Sequence, residues 1–273
     1  MFRKLFKYEW TAMMRSLFPV YGAVLAVTVL NALMFHVIVP EAGRTELLDS
    51  PFLELIPWFT GALYAAVLAA LGVMTVLPVI QRFYKGLLKE EGYLMFTLPV
   101  SRSQLIWSKL LVALVWSVLS TVLAALAWMA EISVVGRENV FSLIAQGLRS
   151  LRQHLSGNLT GCAAALVVLC LVSCLVSFLK FYAAISLGHS FSNHKVLLSV
   201  VFYIGFGIVT QTIGSIFASV GIQININPDL WTNLPVVQVF SSLAWAAAGV
   251  SALLGAAYYM LTLLMLKKRL NLQ

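Results

Sequence analysis

The sequence predicts an all-α integral membrane protein with six transmembrane helices and both termini in the cytoplasm. Of its 273 residues, 61% are hydrophobic and only 10% are charged, whereas soluble domains carry about 25% charged residues. Six stretches are apolar over the roughly 20 residues that a helix needs to cross about 30 Å of hydrocarbon. These stretches are continuously apolar, unlike the strands of a membrane barrel, which alternate in polarity from residue to residue.

The six apolar stretches define the predicted spans. None of the segments between them is long enough to form a soluble domain. We therefore expect one transmembrane domain over residues 1–273, with spans at about 17–39, 58–81, 105–131, 159–187, 195–220 and 236–266.

A separate element precedes the first span. Apolar residues recur near helical spacing from Phe2 to Leu17, and the four basic residues lie off that stripe. This pattern predicts a helix over residues 2–16 that lies in the membrane interface. The alternative is an ordinary basic flank ahead of a span.

The distribution of basic residues predicts the orientation. Short cytoplasmic loops collect Lys and Arg. With the N-terminus inside, the inner segments hold all but four of the 18 basic residues, and the outer segments hold only Arg44, Arg137, Arg149 and Arg152. The net charge of +8 then reflects topology and attraction to anionic inner-leaflet lipid. We expect a multi-pass protein of the cell (cytoplasmic) membrane, with membrane lipid and no nucleic acid among its partners.

The segment FSLIAQGLRSLRQHL, residues 141–155, predicts a short amphipathic helix on the outer surface. Its apolar residues recur every three or four positions; they are Phe141, Ile144, Leu148, Leu151 and Leu155. The helix either rests on the outer leaflet or contacts a substrate.

The chain lacks the motifs of common catalytic sites. No phosphate-binding GxxxxGK[ST] loop occurs, and the adjacent acids Glu90 and Glu91 are followed by Met95 where an intramembrane protease of the EExxxR kind has arginine. The histidines are dispersed without metal-ligand spacing, and cysteines within a span behave as small apolar residues. We expect no enzyme activity from this chain alone, and no catalytic, metal or cofactor site; the residues considered are His36, His154, His189, His194, Cys162, Cys170 and Cys174.

Within the spans, hydroxyl and amide residues recur. Such residues join membrane helices through hydrogen bonds, and glycines allow close approach. We expect these residues to hold neighbouring helices together; they are Ser117, Ser120, Thr121, Ser173, Ser177 and the 210–215 cluster, with Gly205, Gly207 and Gly214. A substrate-lining role for Thr210, Gln211 and Ser215 is the alternative. Lys180 can snorkel to the inner interface.

The most distinctive segment is the polar island between the second and third spans, residues 82–104. The part KEEGYLMFTLPVSRSQ is too apolar for a free loop and too charged for the bilayer. It predicts a short amphipathic helix at the inner membrane surface, ended by Pro99. Ser101 and Gln104 have the spacing of a capping box at the start of the third span.

The sequence EEGYLMFTLPVSRSQLIWSKL resembles the permease subunits of ABC transporters of the ABC-2 type, particularly the six-span bacterial exporters. FRKLFKYEW, FYAAISLGHSF and LKKRLNL are similar to the same family. In such permeases, the loop between the second and third spans forms a coupling helix that contacts a separate ATPase subunit. The resemblance assigns that contact to Glu90, Glu91, Gly92, Tyr93, Leu94, Phe96, Thr97, Leu98, Pro99, Ser101 and Arg102.

The resemblance also implies partners and a cycle. Two ABC ATPase subunits would bind ATP and Mg²⁺, while this chain binds neither directly, and a second permease subunit, identical or a sister chain, would complete the assembly. Alternating access would export the substrate. Because the spans offer few fixed charges, we expect an amphipathic or hydrophobic substrate: a peptide, lipid or drug.

Two other classes of protein stay open on the sequence. One is a polytopic intramembrane enzyme, and the other is a membrane sensor or assembly factor that transports nothing. A stable ATPase partner would distinguish a transporter from both.

The topology gives a first testable prediction. In a variant without native cysteines, Tyr93→Cys reacts with a membrane-impermeant maleimide only after the cytoplasmic side is exposed. Asp49→Cys, in the first outer loop, reacts in intact cells and serves as the control. Labelling of position 93 in intact cells would contradict the orientation.

Overall fold

A computed structural model describes residues 2–38, 51–88, 100–136, 140–154, 159–191, 194–226 and 236–268. Over these ranges the chain is helical, without a strand. Its helices are α1 (Phe2–Ile38), α2 (Pro51–Leu88), α3 (Arg102–Gly136), α4 (Val140–His154), α5 (Leu159–Gly188), α6 (Lys195–Ile226) and α7 (Val236–Lys268).

Six of these helices, all except α4, are long and apolar enough to cross a membrane. The predicted all-α membrane protein with six candidate spans is therefore confirmed. Helices α5, α6 and α7 begin where the corresponding spans were predicted to begin. The cytoplasmic location of the termini stays a prediction.

Helix α1 is continuous from Phe2 to Ile38, so the predicted interfacial segment 2–16 and the first span belong to one helix. No glycine or proline separates them, and Pro19 lies further along within the same helix. Glu9, Met13 and Leu17 are buried on one side of α1. An interfacial location for residues 2–16 stays a prediction.

The predicted helix in the segment 141–155 is confirmed as α4, Val140–His154; Leu155 lies outside the described residues. Ile144, a residue of the apolar stripe, is 44% exposed, so the described residues cover this part of the stripe incompletely. The position of α4 on the outer surface stays a prediction.

The chain divides into two compact units. The N-terminal unit comprises Phe6–Val79 and Val115–Leu148, and the C-terminal unit comprises Met1–Leu5, Ile80–Leu114 and Arg149–Gln273. In the N-terminal unit, the buried side chains of Val24 in α1, Leu71 in α2 and Ala127 in α3 form a core with Tyr64.

A chain of hydroxyl groups joins the three long helices of the N-terminal unit. Tyr21 Oη and Ser120 Oγ lie 2.7 Å apart, and Thr75 Oγ1 donates a hydrogen bond of 2.9 Å to Ser120 Oγ. Asn31 Nδ2 donates a further bond to Glu131 Oε1. Interhelical hydrogen bonds in membrane proteins each contribute about 0.6–2 kcal/mol. The predicted role in joining helices is thus confirmed for Ser120.

The C-terminal unit is organised around α5, which packs most extensively against α7 and less extensively against α6. Gly255 of α7 permits the close approach to α5, because a Cβ there would lie 3.0 Å from Val176 Cγ2. Only 6% of the α6 span is buried, against 22–33% for the other spans. The described residues therefore leave most of the apolar surface of helix α6 uncovered.

The predicted packing role of Gly205, Gly207 and Gly214 is not seen among the described residues of the single chain. A Cβ at any of the three would meet no described atom within 4 Å. Within the described ranges, the glycines at close approaches are Gly86, Gly188 and Gly255. Sequence composition indicates small residues but not which side of a helix faces a neighbour.

The close approach at Gly188 gives the second prediction. A Cβ at this position would lie 2.5 Å from the backbone nitrogen of Ser199 and 2.7 Å from its Cα. Because backbone atoms cannot rotate away, we expect Gly188→Ala to lower the free energy of unfolding by about 1–3 kcal/mol. A decrease in the melting temperature of the detergent-purified protein would report this loss.

The matched control is Gly249→Ala in α7, where a Cβ meets nothing within 4 Å. Alanine favours a helix by up to about 1 kcal/mol over glycine, so this variant should keep or slightly raise the melting temperature. Equal melting temperatures for the two variants would contradict the tight contact at Gly188.

Candidate functional site

The segment predicted to contact an ATPase lies mostly outside the described residues. This applies to Glu90, Glu91, Gly92, Tyr93, Leu94, Phe96, Thr97, Leu98 and Pro99, whereas Ser101 and Arg102 are described. Within the island 82–104, α2 continues to Leu88 and α3 begins at Arg102. The structure thus describes the two helix ends that carry the segment.

The predicted capping box at the start of α3 is confirmed. The backbone nitrogen of Gln104 donates to Ser101 Oγ at 3.3 Å, and the backbone nitrogen of Ser101 donates to Gln104 Oε1 at 3.4 Å. These two bonds satisfy backbone donors that a helix N-terminus otherwise leaves unpaired. They fix the point at which the chain enters α3.

A buried lysine joins the end of α2 to the start of α3. Lys109 is only 6% exposed, and its Nζ donates a hydrogen bond of 3.3 Å to the carbonyl oxygen of Arg82. Gly86 provides space for the ammonium group, since a Cβ there would lie 3.0 Å from Lys109 Nζ. The two helix ends are therefore held together by a charge-assisted hydrogen bond.

Aromatic contacts attach the end of α2 to α5. The rings of Phe83 and Tyr182 stack with centroids 4.0 Å apart and planes 8° apart, and neither side chain is exposed. The rings of Tyr84 and His189 make an edge-to-face contact, with centroids 5.0 Å apart. The end of α2 is thereby packed against the end of α5.

The start of α3 is attached to α7 in a comparable way. Ser103 Oγ and Tyr259 Oη lie 2.7 Å apart, and the Trp107 and Tyr259 rings have centroids 5.9 Å apart. We name Phe83, Ser103, Lys109, Tyr182 and Tyr259 the anchor cluster. It connects both helix ends beside the segment 89–99 to α5 and α7.

His189 lies in the turn between α5 and α6, outside the candidate spans. Burial lowers the pKa of its imidazole, and the nearby charge of Lys195 lowers this pKa further, while the hydrogen bond to the Ile185 carbonyl opposes both effects. That bond joins Nδ1 to the carbonyl oxygen at 3.1 Å. With a pKa below its ordinary value of about 6.5, His189 is mainly neutral at pH 7.

A groove of about 340 Å³ lies between α5, α6 and α7. We name it the transmembrane groove. Thr210, one of the three residues considered as substrate-lining, lies in its wall, whereas Gln211 and Ser215 are exposed and are not among its lining residues. The wall contains five polar residues, Ser173, Ser177, Lys180, Thr210 and Ser251, and the remainder are apolar residues or glycine.

The sequence pattern did not indicate Lys180 or Ser251 as lining residues. A signal was present on α5, because Ser173, Ser177 and Lys180 lie four and three residues apart and share one face. The approach of α7 beside this face is a tertiary contact and leaves no local pattern in the sequence.

No protein-family model matches this chain, and neither a curated protein nor a solved structure is significantly similar to it. Across the described ranges, no three His, Cys, Asp or Glu side chains gather in an arrangement that could hold a metal ion. The anchor cluster and the transmembrane groove are therefore the candidate sites from which a function can be inferred.

The lowered pKa of His189 gives the third prediction. The unfolded chain binds a proton at about pH 6.5, whereas the folded chain binds it only at lower pH. Folding stability linked to this group is therefore present above about pH 6.5 and is lost as the pH falls through the folded pKa. We expect the melting temperature of His189→Gln to fall less between pH 7 and pH 5 than that of the unmodified protein.

The control is His194→Gln, at an exposed position in the same turn. It should retain the fall in melting temperature seen in the unmodified protein. If His189→Gln shows the full fall as well, burial of His189 does not contribute to the acid sensitivity.

Proposed function

We propose that this protein is the transmembrane permease subunit of an ATP-driven ABC transporter of the ABC-2 type. The observation that carries the proposal is the anchor cluster, which holds the two ends of the segment with the permease-like sequence. The segment itself, EEGYLMFTLPVSRSQ, supplies the resemblance. Together they suggest that this segment is a contact surface for an ATPase and that movements of the ATPase are transmitted to the transmembrane helices.

The anchor cluster supports this proposal because a coupling element needs a stiff connection to the helices that it moves. Packed protein interiors have low compressibility and transmit strain. The fully buried Phe83 and Tyr182 side chains provide such packing between α2 and α5. The Ser103–Tyr259 contact extends the connection to α7. A force on residues 89–99 would therefore act on two helices that line the transmembrane groove.

In the proposed cycle, two ATPase subunits bind ATP and Mg²⁺ and approach each other. Each presses on residues 89–99 of one permease subunit, which we name the coupling segment. The spans then change between inward-open and outward-open arrangements. In this cycle ATP hydrolysis occurs on the partner, in the cytoplasm, and this chain contributes no catalytic residue to it. We propose export from the cell across the cytoplasmic membrane of an amphipathic or hydrophobic peptide, lipid or drug.

A transporter of this kind needs a second permease subunit, identical or a sister chain. The exposed apolar surface of α6 is compatible with that requirement. Ile204, Ile208 and Ile216 are 55%, 62% and 58% exposed within the single chain. Lipid or the second subunit would cover them in the assembled transporter.

The fourth prediction tests the ATPase contact. The protein is affinity-purified from its native membranes, and the co-purified ATPase is identified by its GxxxxGK[ST] loop and by its ATP hydrolysis. We expect replacement of residues 90–98 by Gly-Ser repeats, or the double change Glu91→Ala and Tyr93→Ala, to reduce the bound ATPase about tenfold or more. A loss of that size follows when central interface residues are truncated.

The control carries Glu46→Ala and Asp49→Ala in the first predicted outer loop and should retain the ATPase. Size-exclusion profiles establish that each variant remains folded. Retention of the ATPase after replacement of residues 90–98 would exclude the coupling segment. Absence of any such ATPase from the unmodified protein would exclude the transporter proposal itself.

A further inference from the structure

We infer that the transmembrane groove binds an amphiphile with a single anionic headgroup, such as a carboxylate or a phosphate, on an apolar chain. Ligand binding is a property of the groove alone. Only the identification of this ligand as transported cargo rests on the proposed function.

The first observation is the location of Lys180, a lone cation in the groove wall within the α5 span. A charged side chain within a membrane span is costly unless it finds a partner or water, and such residues are commonly functional. Lys180 Nζ lies 4.9 Å from the centroid of the Tyr203 ring. Lys180 is half-buried, and a cation–π contact of this kind provides only partial compensation for the loss of water around its charge.

The second observation is that, among the described residues of the C-terminal unit, Lys180 has no carboxylate counter-ion. The described ranges of the C-terminal unit contain no aspartate or glutamate. The three acids of this unit, Glu90, Glu91 and Asp229, lie outside the described residues. A carboxylate for Lys180 is therefore absent from the described part of the unit, and an anionic ligand would supply the opposite charge.

Lys180 is distant from, or faces away from, the described helix ends that precede these acids in the chain. Asp229 follows the end of α6 at Ile226, which is about 35 Å along the helix from Tyr203 at 1.5 Å per residue. Tyr182, which contacts the end of α2, is two residues from Lys180 and so lies about 200° around α5. Lys180 therefore faces away from the helix that leads to Glu90.

The third observation is the polarity gradient along the groove. On α5 the wall extends from Leu169 to Lys180, a distance of about 16 Å. Gly255 meets Val176, and the Tyr203 ring stacks on Phe181. This register brings Ala247 of α7 and Phe217 of α6 to the level of Leu169. The groove therefore has an ammonium group at one end and apolar side chains at the other.

Hydroxyl groups occupy the middle of the groove. Ser177 and Thr210 donate their hydroxyl hydrogens to backbone carbonyls of their own helices. Ser173 and Ser251 also line the groove. No hydrogen bond made by either hydroxyl group is found among the described residues, so these two hydroxyls are available to the polar linker of an amphiphile. The volume of about 340 Å³ falls within the usual range of ligand pockets.

The fifth prediction measures ligand binding directly. The purified protein is placed in phosphatidylcholine nanodiscs and titrated with cis-parinaric acid, a fluorescent fatty acid. We expect Lys180→Met to weaken binding about tenfold or more, because a charge-assisted hydrogen bond is lost. Lys180→Arg should retain most of the affinity. Methyl parinarate, which lacks the charge, should bind the unmodified protein as weakly as the acid binds Lys180→Met.

Lys267→Met is the matched control. Lys267 is an exposed lysine of α7 that does not line the groove, so its removal should leave parinarate affinity unchanged. Should Lys180→Met fail to fold, Leu169→Trp tests the apolar end, since the added volume should weaken parinarate binding. The proposal would be overturned if Lys180→Met and the unmodified protein bound parinaric acid with equal affinity. It would also be overturned if the unmodified protein bound the acid and its methyl ester equally well.

A second arm identifies the source of the anionic amphiphile. Phosphatidylglycerol is introduced into the nanodiscs at increasing fractions. Displacement of parinarate would assign the site to membrane phospholipid, whereas undisturbed binding would assign it to a free amphiphile. Neither titration involves an ATPase, so failure of parinarate binding and failure of ATPase co-purification are separate results.

Discussion

The structure depends on one constraint of the membrane interior: backbone N–H and C=O groups within hydrocarbon must be paired inside the protein. Continuous helices meet this requirement, so the chain devotes its long apolar segments to α1, α2, α3, α5, α6 and α7. Hydrocarbon offers little hydrophobic drive for helices to associate with one another. The few polar and small residues in the spans therefore have a disproportionate effect on which helices meet.

The two units use these residues differently. In the N-terminal unit, Ser120 is the centre of a hydroxyl chain that joins three helices. In the C-terminal unit, Lys109 reaches a backbone carbonyl through space left by Gly86, whereas Lys180 lines an open groove. Lys109 therefore has a fixed hydrogen bond within the chain, whereas Lys180 remains available to a ligand.

Local sequence features predicted the secondary structure well. Apolar run length was sufficient for the six spans, helical periodicity predicted α4, and the Ser101–Gln104 spacing predicted the cap that the structure contains. Packing between helices was not predictable from the same features. Gly205, Gly207 and Gly214 suggested an interface, but a Cβ at any of them would meet no described atom within 4 Å, and Ser251 joins the groove only because α7 lies beside α5. Such contacts depend on the rotation of each helix, for which near-uniformly apolar spans give little signal.

The opposite placement of Tyr182 and Lys180 on α5 has a mechanical consequence. Both side chains belong to one rigid helix, and they lie about 200° apart around its axis. Rotation of α5 would turn the aromatic ring and the ammonium group through the same angle. If Phe83 moved sideways and turned Tyr182 about the α5 axis, the Lys180 ammonium group on the opposite side of the helix would move in the opposite direction. If residues 89–99 contact an ATPase as proposed, a force on them would in this way alter the electrostatics of the groove from a distance.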